Sequence, residues 1–122
     1  MKVYQTEEIK NIALLGNDGS GKTTLTESLL FEAGVIKRRG RITQHNTVSD
    51  YFPVEHEYGY SVFSTVFHTE FNGKKLNIID CPGADDFIGQ ALTALHVTDT
   101  AILLINGQVG PEVGTMNHFR YT

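Results

Sequence analysis

A chain of 122 residues, 40% of them apolar, is one domain long and close to the average of globular proteins. Its formal charge of −4 excludes a wholly basic nucleic-acid binder, and no stretch approaches the roughly 18 apolar residues of a membrane span. A lone Cys81 cannot close an internal disulfide, and the opening "MKVYQTEEIKN" lacks the apolar centre of a secretion signal, so a cytoplasmic location without membrane association is expected.

Residues 9–15 are a nearly continuous apolar run ending at Gly16, the pattern of a strand buried on both faces of a parallel sheet. From Lys22 the residues Leu25, Leu29 and Ala33 recur at helical spacing, with Gly34 as a left-handed stop. Residues 35–60 show no sustained period and are expected to form a long loop, a length that is usually functional in a small domain. The alternation over 61–71, followed by Asn72-Gly73, predicts a hairpin whose second strand is 75–80. A helix is expected over about 86–96, another buried strand over 100–106, and the start of a helix from Pro111.

Gly16, Gly21, Lys22 and Thr23 match GxxxxGK[ST] between an expected strand and an expected helix, which is the setting a phosphate loop requires. A glycine-rich turn aims successive backbone N–H groups at phosphate oxygens, and the following helix N-terminus favours the anion. In that loop Asp18, Gly19, Ser20, Gly21, Lys22, Thr23 and Thr24 are the candidate nucleotide-binding residues, with the Thr23 hydroxyl placed for magnesium. The competing reading is a glycine-rich turn with a chance lysine. A second signal, Asp80-Cys81-Pro82-Gly83, follows "LNII": a carboxylate at a strand end can hold magnesium, and Gly83 lets its N–H approach a terminal phosphate. Alone, this tetrapeptide is also an ordinary turn.

Four cations, Lys37, Arg38, Arg39 and Arg41, form the only concentrated basic cluster; it is either a contact for RNA phosphates or a solvated run. Tyr51, Phe52, Tyr58 and Tyr60 are expected to pack locally rather than stack on bases. His56, His68 and His96 lack metal-ligand spacing with one another or with Cys81, and Cys81 is expected to pack as a small apolar residue.

In this order the phosphate loop, long loop, hairpin and DxPG sequence resemble the first half of the GTP-binding domain of a translational GTPase, with elongation factor G the nearest family. The resemblance spans about residues 9–118 and is carried by "GKTTLTESLLFEAGVIKRRGRI", "TVSDYFPVEHEYGYS", "IIDCPGADDF" and "GPEVGT". It implies an α/β fold with a mixed, mostly parallel sheet flanked by helices and cut off after a fourth strand. The strand at 61–71 would be its antiparallel edge, and the exposed flank at 100–106 would be open to self-association. It also implies a GTP/GDP and Mg2+ switch working with ribosomal RNA and proteins, with a first switch loop around 37–61 and a second around 80–90. Thr23, Ser61 and Asp80 would hold the metal.

The departures from the family pattern matter as much. Ala84 stands where the family usually carries a histidine that orients the attacking water, a group worth roughly 10²- to 10⁴-fold, which implies slow hydrolysis or binding alone. Tyr58, Gly59, Tyr60 and Ser61 replace the usual Arg-Gly-Ile-Thr, and Gly19 replaces an aspartate, with Asp18 one place earlier. Asp85 and Asp86 are expected to favour a helix start rather than to act as a base. The Asn-Lys-x-Asp and Ser-Ala-Lys sequences that read guanine are not found, so guanine specificity rests on the resemblance, and a phosphate-loop ATPase or kinase is the remaining alternative.

Overall fold

The computed structural model describes residues 2–122. Strand β1 (Ile9–Leu15) coincides with the expected run and occupies an inner position of a four-stranded sheet in the order β2-β3-β1-β4. β3 (Lys74–Asp80) and β4 (Thr100–Leu103) pair with β1 in parallel, while β2 (Thr65–Phe71) runs antiparallel at the edge beside β3. Burial on both faces follows from the side-chain alternation of β1. Ala13 and Leu15 meet Ile79, Cys81, Ala91 and Ala94 on the face covered by helix α3 (Ile88–Leu95).

The β2–β3 hairpin turns on Asn72 and Gly73, with φ of 48° and 75°, the two positive values that a type I′ turn demands. At the other edge lies β4, where Ile102 is 39% exposed.

Helix α1 (Lys22–Glu32) forms where predicted but is rotated from its expected orientation. Its buried face is Thr23, Thr26, Glu27 and Leu30, whereas Leu29 is 39% exposed and with Ala33 lines an apolar cleft of about 300 Å³ beside the sheet. The reason is the loop that follows: its backbone N–H groups need an acceptor on α1, and Glu27 supplies it.

The 35–60 segment is likewise less irregular than expected. It contains a 3₁₀ turn (Ile42–Gln44) and a short helix, α2 (Pro53–Tyr58), which Pro53 starts and Gly59, at φ 73°, ends. Strand β2 begins at Thr65 rather than at 61, because the N–H groups of Val62 and Phe63 donate to the Glu55 carboxylate, at 3.1 and 3.2 Å, instead of to a ladder. Strand β4 ends at Leu103 rather than 106, and helix α4 (Val113–Arg120) closes the described chain. No helix among the described residues is long and apolar enough to cross a membrane.

Candidate functional site

The loop between β1 and α1 turns through three glycines with positive φ: Gly16 (140°), Gly19 (70°) and Gly21 (94°). Such angles strain any residue with a Cβ, and at Gly16 a Cβ would also press on the Leu104 carbonyl and, 2.8 Å away, on the Ser20 hydroxyl. The turn curls around Lys22, whose ammonium donates to the Gly16 and Asn17 carbonyls at 2.9 Å each and approaches Ser20 Oγ at 3.4 Å. Burial lowers the Lys22 pKa, a tendency opposed by the Asp80 and Asp18 carboxylates.

Thr23, one residue on, donates its hydroxyl to Asp80 Oδ2 at 3.0 Å and lies 3.5 Å from Ser61 Oγ. Asp80 is 2% exposed, its Oδ1 is buried with no hydrogen-bond partner, and burial pushes its pKa up to about 6. A buried oxygen left unpaired beside two hydroxyls is a hard-oxygen donor set that fits Mg2+. Among the described residues there is no group of three or more His, Cys, Asp or Glu that could hold a metal alone.

Gly83 comes onto the loop from the end of β3. A Cβ there would lie 2.6 Å from Asp18 N and 2.7 Å from the Asn17 carbonyl carbon, and nearer still to the Lys22 ammonium, so only glycine allows this approach. One polar cleft of about 260 Å³ is lined by Asp18, Gly19, Gly21, Lys22, Thr23, Thr24, Ser61 and Gly83. Of the remaining candidates Ser20 braces Lys22, and Asp80 lies beneath Thr23 rather than in the cleft wall. Asp18 is exposed and accepts the Gly19 N–H at 2.9 Å.

Ala84 follows Gly83 with only a methyl group. Asp85 begins a 3₁₀ turn (Asp85–Phe87), and its Oδ1 accepts from Asn117 Nδ2 of α4 at 3.4 Å, in keeping with a structural role at a helix start. The aromatic residues pack on one another: Tyr51 with Phe52 at 4.5 Å between ring centroids, Phe52 with Phe63 at 5.1 Å, and Tyr58 with Tyr60 at 5.5 Å.

Sequence reasoning missed four polar residues that shape the site. Asp50 lines the same cleft and accepts the Ser61 hydroxyl at 2.6 Å, extending the chain Asp80–Thr23–Ser61 by one carboxylate. Glu27 and Glu55 are 2% and 1% exposed and satisfy their charge with backbone N–H donors of the 40–63 segment. His118 of α4 is 1% exposed with neither ring nitrogen paired. Glu27 alone left a trace in the sequence, as a charge four residues from Thr23 and three from Leu30 on what proves to be the buried face. Asp50 and Glu55 have distant partners that local pattern does not reveal, and the burial of His118 is set by tertiary packing.

The family profile of the elongation factor Tu GTP binding domain matches residues 7–122. Ribosome-releasing factor 2, mitochondrial, from Drosophila willistoni is 37% identical over 111 residues, covering 91% of this chain and 15% of that protein. The protein of the same name from Candida dubliniensis is 35% identical over 111 residues, covering 91% and 14%. The chain thus spans about one seventh of the length of the curated relatives it matches. A solved structure from Thermus thermophilus superposes with a TM-score of 0.90 at 37% identity, over 93% of this chain and 17% of that one. Translation elongation factor SelB from Methanococcus maripaludis, solved with the GTP analogue GppNHp, shares the fold at a TM-score of 0.65 and 19% identity, over 92% and 19%.

Proposed function

The chain belongs to the elongation factor Tu GTP-binding domain family, in its elongation-factor-G-like branch, and on that premise we propose that it is the nucleotide-responsive part of a translation factor that works with the ribosome and turns GTP over slowly. Residues 37–61 and 80–90 act as its first and second switch loops. Backbone N–H groups from Gly19 to Thr23 hold the phosphates, Lys22 neutralises them, and Gly83 brings an N–H to the terminal one. Thr23, Ser61 and Asp80 would hold magnesium, which would supply positive charge to neutralise the phosphates. Asp50 keeps Ser61 in position through the 2.6 Å bond.

What supports the reading is convergence: Lys22 and Thr23 from the first loop and helix, Ser61 from the long loop, and Gly83 after β3 meet at one cleft. Slow turnover follows from Ala84, because a methyl can neither orient a water molecule nor take its proton, a deficit of roughly 10²- to 10⁴-fold. The same alanine favours a second reading, a switch that works by binding alone. Two measurements on the intact protein separate these. Competition of GTP, GDP and ATP for a fluorescent guanine nucleotide is expected to favour the guanine nucleotides, and equal competition by ATP overturns the guanine assignment. Single-turnover hydrolysis with ribosomes is expected to be slow but measurable and to rise at least tenfold in Ala84→His. Turnover already as fast in the unaltered protein refutes the slow reading, and none in either protein, with nucleotide-dependent ribosome binding intact, selects the binding-only switch.

A further inference from the structure

Four of the ten lysines and arginines in this acidic chain lie within residues 37–41. Charge runs of this kind are commonly solvated and mobile, but this one is held. Glu27, 2% exposed on α1, accepts the N–H of Gly40 at 2.6 Å through one oxygen and that of Val48 at 2.5 Å through the other. Asn46 Oδ1 accepts the Arg41 N–H at 2.7 Å. Gly40 packs so closely on residues 46 and 47 that an added Cβ would stand 2.7 Å from Thr47 Cα and 2.8 Å from the Asn46 carbonyl carbon. The Arg39 guanidinium lies over the Phe31 ring, 5.2 Å from its centroid. Glu27 and Phe31 of α1 and residues 37–41 line a cleft of about 540 Å³ that adjoins the phosphate cleft at Thr24.

We propose that residues 37–41 are a preformed contact for the phosphodiester backbone of RNA, kept in shape by the buried carboxylate of Glu27. Three of the four cations are arginines, whose planar forks match phosphate oxygens in pairs, and stacking of Arg39 on Phe31 removes part of the entropy that a free arginine would lose on binding. A regularly spaced polyanion suits a short row of cations on an otherwise acidic protein, since attraction confined to one face also fixes orientation. The choice of RNA over another polyanion rests on the ribosomal setting proposed above. Glu27 is a positioning residue here: it offers two acceptor oxygens to two N–H groups, which a glutamine, with one acceptor, cannot do.

The test is binding of the intact protein to a fluorescent RNA hairpin as a function of salt, with duplex DNA of equal length and poly-glutamate as comparators and guanine-nucleotide affinity measured in parallel. Four phosphate contacts predict that affinity falls about 50- to 150-fold between about 50 and 200 mM KCl, and that Arg38→Glu/Arg39→Glu removes most of the RNA binding. Glu27→Gln separates charge from position: deleting a negative charge beside the cluster would tighten RNA binding by electrostatics alone, whereas loss of the tether weakens it, by an expected threefold or more. Gly40→Ala, which alters no charge, is expected to weaken it likewise and serves where Glu27→Gln does not fold. RNA binding that is absent, insensitive to Arg38→Glu/Arg39→Glu, or matched by poly-glutamate overturns the proposal, and tighter binding by Glu27→Gln overturns the role of Glu27. Loss of nucleotide binding in the unaltered protein would instead refute the nucleotide reading.

Discussion

Replacing Gly83 by alanine tests how closely the end of β3 approaches the phosphate loop. The new Cβ would stand 2.6 Å from Asp18 N and 2.7 Å from the Asn17 carbonyl carbon, where ordinary contact begins at 3.4 Å, so the two loops must separate by about 0.8 Å. Because both atoms belong to the backbone, no rotamer change relieves the clash, and overpacking of this kind costs about 1–3 kcal/mol. For a domain of this size that corresponds to a fall in Tm of roughly 3–12 °C. The Lys22 ammonium is the nearest neighbour of all, so the separation also moves the cation proposed to meet the terminal phosphates. Triphosphate affinity is therefore expected to drop about tenfold more than diphosphate affinity, a difference of about 1.4 kcal/mol. Gly89→Ala is the matched control: it lies in helix α3 with nothing within 4 Å of its added Cβ, and it should stabilise by up to about 1 kcal/mol. Thermal melts and fluorescent-nucleotide titrations of both variants decide the matter. A Gly83→Ala protein with unchanged Tm and an unchanged triphosphate-to-diphosphate ratio would refute the reasoning.

Three other expectations follow from the same geometry. Asp80→Asn leaves an oxygen for Thr23 but removes the charge, so nucleotide affinity should lose most of its dependence on magnesium, as read from titrations over a range of Mg2+ concentration. Burial, reinforced by Lys22, lowers the His118 pKa below its ordinary 6.5. The unfolded chain therefore takes up a proton at higher pH than the folded one, and stability should decline as pH falls from 6.5 through the folded value. Asp80, with its pKa raised to about 6, acts in the opposite sense below that pH, so the His118 contribution is read as the difference between urea melts of the unaltered protein and of His118→Phe at successive pH values. Gly73→Val places a β-branched residue at φ 75° and should destabilise the hairpin by about 1–2 kcal/mol in chemical denaturation, whereas Gly73→Asn should be tolerated far better.

Much of the architecture was legible residue by residue because its causes are local. Apolar residues on both faces of 9–15 require a strand covered on two sides, Asn72-Gly73 accepts two positive φ angles, and Gly16, Gly19 and Gly21 permit the turn around Lys22. The strand-to-helix setting of that turn and the carboxylate ending β3 were both evident from spacing alone. What tertiary structure decided was the fate of buried charge. Leu25, Leu29 and Ala33 marked one face of α1, yet the face turned inward carries Thr26 and Glu27, because unpaired N–H groups at Gly40 and Val48 need an acceptor there. Glu55 similarly delays β2, and Asp50 reaches Ser61 across eleven residues. Hydrophobic periodicity records which residues avoid water. It holds no record of which distant backbone donor a carboxylate will satisfy, since that pairing exists only once the chain has closed on itself.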